Sequence, residues 1–71
     1  MTEEIFLEKM IEILDVEGEL TMDTQLDDIE EWDSLSVIGY VAMANASCNK
    51  TIAPADVRKA DTIRDLFDML A

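Results

Sequence analysis

The chain has 71 residues, 49% of them hydrophobic, and a formal net charge of −12 from 17 acidic and 5 basic side chains. That length predicts one domain, residues 1–71, with a small core, and that apolar share sets it apart from disordered sequences. So acidic a chain is repelled by nucleic acids and anionic lipid surfaces and attracted to basic protein surfaces.

A first helix is expected to start at Thr2, a side chain suited to the N-cap, with Glu3 and Glu4 at the positive end of the dipole. Phe6, Met10, Ile13 and Leu14 recur at helical spacing, and Gly18 is expected to end the segment. A long connection follows to about Trp32. Leu20, Leu26 and Ile29 are spaced to pin it to the core, while Asp27, Asp28, Glu30 and Glu31 stay solvated; loops of this length are functional or carry a turn of their own. A second helix is expected over Ser34–Ala46. On a helical wheel Val37, Tyr40, Val41, Ala44 and Cys48 fall on one side and Leu35, Ile38, Ala42 and Ala46 on another. One face enters the core and the other needs a partner or a bound chain, and the wheel alone does not say which. Pro54 suits the first position of a short third helix ending near Lys59. A fourth starts at Asp61 or Thr62, with Ile63, Leu66, Phe67 and Leu70 at i, i+3, i+4 and i+7. No segment alternates as a strand does. The expected fold is all-α, a small four-helix bundle of three longer helices and a short third one, with a long loop between the first two.

No apolar run approaches the roughly 20 residues of a membrane span. Met1-Thr2-Glu3-Glu4 is acidic where a secretory signal is basic, and the single Cys48 forms no internal disulfide, so the chain is expected in the cytoplasm. There is no histidine, which removes the usual general base and the commonest nitrogen ligand for a metal. Ser34 therefore lacks a triad partner, Cys48 lacks a Cys-His pair, and no spacing recommends Lys9, Lys50 or Lys59 as an activating base. The chain is not expected to be an enzyme. Nor do the acids form a calcium loop: starting at Asp15, the glycine comes at the fourth place and Leu26 takes the twelfth, where the EF-hand pattern needs glycine sixth and glutamate last. Cys48 and the five methionines are read as core or interface fillers, without a metal site.

The segment that singles the chain out is Trp32-Asp33-Ser34-Leu35, between an acidic loop and the apolar run of the second helix. Taken alone it is an ordinary helix start, with a side-chain oxygen capping a backbone N–H and Trp32 stapling onto Val37. A serine at that place also lies in the field of the helix N-terminus, where a phosphate is favourably held. The tetrapeptide, the closing Thr62-Ile63-Arg64-Asp65-Leu66 and the order of helices together resemble the acyl carrier protein family, over Phe6 to Leu70.

The resemblance implies that Ser34 carries 4′-phosphopantetheine, whose thiol holds an acyl or aminoacyl group as a thioester. It implies that Asp33 helps place the metal ion and the phosphopantetheinyl transferase that loads coenzyme A's arm, and that Leu35 joins the docking surface. Leu35, Ile38, Gly39 and Ala42 match the family's partner-facing positions, with the Val37–Tyr40–Val41 face as core and Asp27, Asp28, Glu30, Glu31 and Asp33 steering the partner. Gly39, costly inside a helix by about 1 kcal/mol, is explained either by close approach of a partner backbone or by crowding against another helix of the chain. Ser36 to Ser47 contains no charged residue, and Gly39 stands where the family often has glutamate. That departure points away from housekeeping fatty-acid synthesis toward discrete carriers of specialised lipid or secondary-metabolite pathways, monomers served by an acyl- or aminoacyl-adenylating ligase or an acyltransferase, with D-alanine one possible cargo. The alternative is a non-enzymatic acidic helical interaction module without a prosthetic group.

Overall fold

Thr2 caps the first helix: its Oγ1 accepts the Ile5 N–H at 3.2 Å, and α1 runs Glu3–Leu14. Phe6, Met10 and Leu14, four residues apart, lie along its buried face. The helix ends earlier than the expected Gly18. Asp15 takes the left-handed conformation (φ 54°, ψ 44°) and its N–H closes on the Ile11 carbonyl at 2.8 Å. A short polar side chain tolerates that backbone, so a glycine was not needed for the stop. The structure, a computed structural model, describes residues 1–70.

The connection from Asp15 to Asp33 holds a single 3₁₀ turn, Leu26–Asp28, and buries Met22, Leu26 and Ile29. Its backbone is stitched to the region ahead of the last helix. Leu26 N–H donates to the Asp61 carbonyl at 2.9 Å, while Ile63 and Arg64 N–H donate back to Thr24 and Met22 at 3.0 and 2.9 Å. These bonds surround an isolated antiparallel bridge between Gln25 and Thr62. There is no longer strand among the described residues.

The second helix, α2, spans Ser34–Cys48, two residues beyond the expected end, and closes on Asn49 in the left-handed conformation. The short α3, Pro54–Val57, has Pro54 in its first turn as expected and buries Val57, but stops two residues before Lys59. α4 spans Ile63–Asp68, starting after Thr62. Its capping box is reciprocal: Asp65 N–H donates to Thr62 Oγ1 at 3.3 Å and Thr62 N–H to Asp65 Oδ2 at 3.1 Å. With 6 residues α4 is not the third long helix the sequence predicts. It closes on a tighter turn, in which Leu70 N–H donates to the Phe67 carbonyl in an i to i+3 bond at 3.0 Å. The fold is all-α, with two long helices and two short ones.

The core is one cluster, with α1 and α3 packed on α2. The Phe6 ring meets Tyr40 edge-on at 6.4 Å between centroids and Phe67 at 5.3 Å, which ties α1 to both α2 and α4. The Cα radius of gyration, 10.7 Å, matches the ~11 Å of a single folded unit of this length. No helix among the described residues is long and apolar enough to cross a membrane.

Candidate functional site

The start of α2 is built by Asp33, an extended residue (φ −142°, ψ −169°) that serves as N-cap. Its Oδ1 accepts the Ser36 N–H at 3.0 Å, and its carbonyl accepts Val37 N–H at 3.0 Å as the first helical bond. Ser34 is thus the first residue inside the helix, exposed, and not the cap. Neither the Ser34 nor the Leu35 N–H has a partner among the described residues. Two unpaired amides and the positive end of a 15-residue helix therefore lie at the start of α2, where Ser34 stands.

The approach to the cap is fixed from behind. Trp32 N–H donates to the Ile29 carbonyl at 3.1 Å, and the half-buried indole packs against the core. Ser36, to which the sequence assigned no role, is buried, and apart from Tyr40 it is the one buried residue among those described to carry a hydroxyl. Its Oγ donates to the Glu31 carbonyl at 2.7 Å and lies 3.2 Å from Asp33 Oδ1. No local signal marked it: a capping box needs a carboxylate or amide side chain three residues after the cap, and the Ser36 contact reaches back to Glu31 instead.

The two faces of α2 separate cleanly. Val37, Tyr40 and Ala44 are buried, whereas Leu35 is 77% and Ile38 61% exposed, with Ala42 exposed on the same face. Gly39 stands apart from that strip. A Cβ there would lie 3.0 Å from Ile13 Cγ2, so the close approach that explains this glycine is made by the chain's own α1. Glu30 and Glu31 are exposed just before the cap. No lysine or arginine occurs between Lys9 and Lys50, and the ion pairs among the described residues, Arg64–Glu3 and Lys59–Asp56, do not involve Glu30, Glu31 or Asp33. The acids beside Ser34 therefore project an unneutralised field.

Other chemistry lies elsewhere. Tyr40 is fully buried and donates its hydroxyl to the Leu66 carbonyl at 2.6 Å; burial, with Cys48 second, pushes its pKa well above the ordinary tyrosine value. Cys48 is a half-buried free thiol at the end of α2. An open cleft of about 450 Å³ between Thr51, Ile52, Asp56, Lys59 and Met69 shares no residue with the Ser34 site. Comparison of the chain with protein-family models, with curated proteins and with solved structures finds no match in any of the three.

Proposed function

We propose that the chain is a carrier protein of acyl-carrier type, holding an acyl or aminoacyl group as a thioester on 4′-phosphopantetheine attached to Ser34. The observation that carries this reading is the position of Ser34: an exposed hydroxyl at the first position of a long helix, beside two unpartnered amides. The residues fit the group. A phosphodiester on Ser34 Oγ would meet the Ser34 and Leu35 amides, and exposed Leu35 and Ile38 offer apolar surface beside the arm. The prosthetic group supplies the thiol that carries the cargo; the protein supplies the attachment point and a surface that partner enzymes recognise. Histidine-free and without an assembled base, the chain acts as a substrate of other enzymes.

The partners proposed are a phosphopantetheinyl transferase, then an acyl- or aminoacyl-adenylating ligase or an acyltransferase of a specialised pathway in the cytoplasm. Each would meet a monomer through Leu35, Ile38 and Ala42, attracted by Glu30, Glu31 and Asp33. Gly39 drops out of that surface because Ile13 occupies its side. The long arm then raises the local concentration of cargo at each active site.

Intact-mass measurement after incubation with coenzyme A, Mg²⁺ and a broad-range transferase tests the reading. One phosphopantetheinyl group per chain is expected on the wild type and none on Ser34→Ala, which leaves the Asp33 cap in place. An unmodified wild type refutes the carrier and leaves the acidic interaction module, which the exposed Leu35–Ile38 pair would equally serve.

A further inference from the structure

We infer that Ser36 is a positioning residue for the modification of Ser34, holding one oxygen of Asp33 and leaving the other free for the transferase and its divalent metal ion. The inference rests on the carrier reading above and goes further by assigning a role to a residue with no place in it.

Capping alone does not explain the Ser36 hydroxyl. The bond from its N–H to Asp33 Oδ1 at 3.0 Å would form with any residue but proline at this position. Alanine has the better helix propensity and no hydroxyl to bury. The hydroxyl adds two contacts beyond the cap, to the Glu31 carbonyl at 2.7 Å and to Asp33 Oδ1 at 3.2 Å. Its single proton serves the shorter contact or alternates between the two. The two acceptors flank Trp32, whose own N–H is held by Ile29 at 3.1 Å. Ser36 therefore ties down both sides of the turn that delivers Ser34, its hydroxyl holding the Glu31 carbonyl while its N–H holds Asp33, with the hydroxyl close enough to exchange onto the same carboxylate oxygen. Asp33 Oδ2, on an exposed residue, accepts no hydrogen bond among the described residues. A carboxylate anchored through one oxygen presents the other in a fixed direction, as a ligand or docking group requires.

In the transfer itself, Ser34 Oγ forms a bond to the coenzyme A phosphorus that bears the pantetheine arm. The bond from that phosphorus to the bridging pyrophosphate oxygen breaks, adenosine 3′,5′-bisphosphate leaves with the electron pair, and the hydroxyl proton passes to a base of the transferase. Ser36 takes no part in these bonds. It fixes where Ser34 and Asp33 start.

The test is the time course of modification, read by intact mass with coenzyme A, Mg²⁺ and a broad-range transferase, together with far-UV circular dichroism of each unmodified variant. Ser36→Ala is expected to lower kcat/KM roughly tenfold, mainly in kcat, short of the ~10²-fold that a 1 Å misplacement produces. Ser36→Thr restores the hydroxyl and should recover most of the rate. In the Asp33→Asn background, which retains a capping oxygen, Ser36→Ala should add less than about twofold, because residues acting as a unit are not additive. Wild-type kinetics for Ser36→Ala, or an equal loss with and without Asp33→Asn, overturns the role. Should Ser36→Ala lose helical signal, Ser36→Cys keeps the volume with only a weak donor and should still be slowed; a wild-type rate there overturns it as well. If the wild-type chain itself accepts no group, the carrier reading falls and this inference with it.

Discussion

Tyr40→Phe removes one oxygen from the centre of the molecule and leaves the ring against Phe6 in place. The lost group donates to the Leu66 carbonyl at 2.6 Å, inside the last turn of α4. Among the described residues that carbonyl has no helical donor, since Leu70 N–H turns to Phe67 instead. Leaving a buried acceptor unsatisfied costs about 1–3 kcal/mol. A 71-residue domain holds roughly 4–11 kcal/mol at ~0.05–0.15 kcal/mol per residue, so the loss is a large fraction of the whole. In a thermal melt followed by far-UV circular dichroism, the melting temperature should fall by roughly 5–20 °C.

The pH dependence supplies a sharper check. Burial raises the folded pKa of Tyr40 above its unfolded value of about 10, so its contribution is complete below that value and is lost as pH rises through it. Above pH ~10 the wild type loses about 1.4 kcal/mol per pH unit from this group, and the variant loses nothing from it. The two stability curves should therefore converge by roughly pH 11–12, where that slope has offset the 1–3 kcal/mol difference. Tyr40 is the only tyrosine, which makes the difference between the curves specific to it. A variant as stable as the wild type at neutral pH, or curves that stay parallel above pH ~10, would refute the account of the buried hydroxyl.

Gly39→Ala should not give the ~1 kcal/mol gain of an exposed helix glycine, because the new Cβ meets Ile13 Cγ2; a double-mutant cycle with Ile13→Ala, read by denaturant unfolding, should show at least about 0.5 kcal/mol of coupling. Ile38→Ala should leave unfolding within about 0.5 kcal/mol of wild type, as its side is exposed. Against the cognate loading enzyme it should speed dissociation, while Glu30→Gln with Glu31→Gln should chiefly slow association at low salt. The Asp61 and Thr62 amides hold the Asp65 carboxyl below the ordinary carboxylate range, so its capping contribution is present above pH ~3.9 and lost as pH falls through the lowered value. The melting temperatures of wild type and Asp65→Asn should accordingly draw together in acid. Raising ionic strength or adding millimolar Mg²⁺ should raise the melting temperature, since −12 charges on so small a domain repel one another; a flat titration would count against that.

What the sequence made legible was local. Thr2 as a cap, Pro54 at a helix start and the apolar spacing of Phe6, Met10 and Leu14 each act within one turn of helix, and each is found where its chemistry predicts. The stops were harder to read, because Asp15 and Asn49 enter the left-handed region without glycine, and nothing in their neighbours marks them. The ordered connection depends on bonds between Met22, Thr24 and Leu26 on one side and Asp61 to Arg64 on the other, far apart in sequence. Periodicity carries no such pairing. The start of α2 lies between these cases. Asp33, Ser34 and Leu35 are adjacent and could be read as a motif, but the Ser36 hydroxyl takes its meaning from reaching back to Glu31, a contact that needs the turn at Trp32 to exist first. That dependence ties the site to its support: the buried Leu26 and Ile29 hold the loop down, the turn at Trp32 sets Glu31 within reach of α2, and the Ser36 hydroxyl bonds it there beside the Asp33 carboxylate. Loosening Leu26 or Ile29 should disorder the site without touching any residue of the motif.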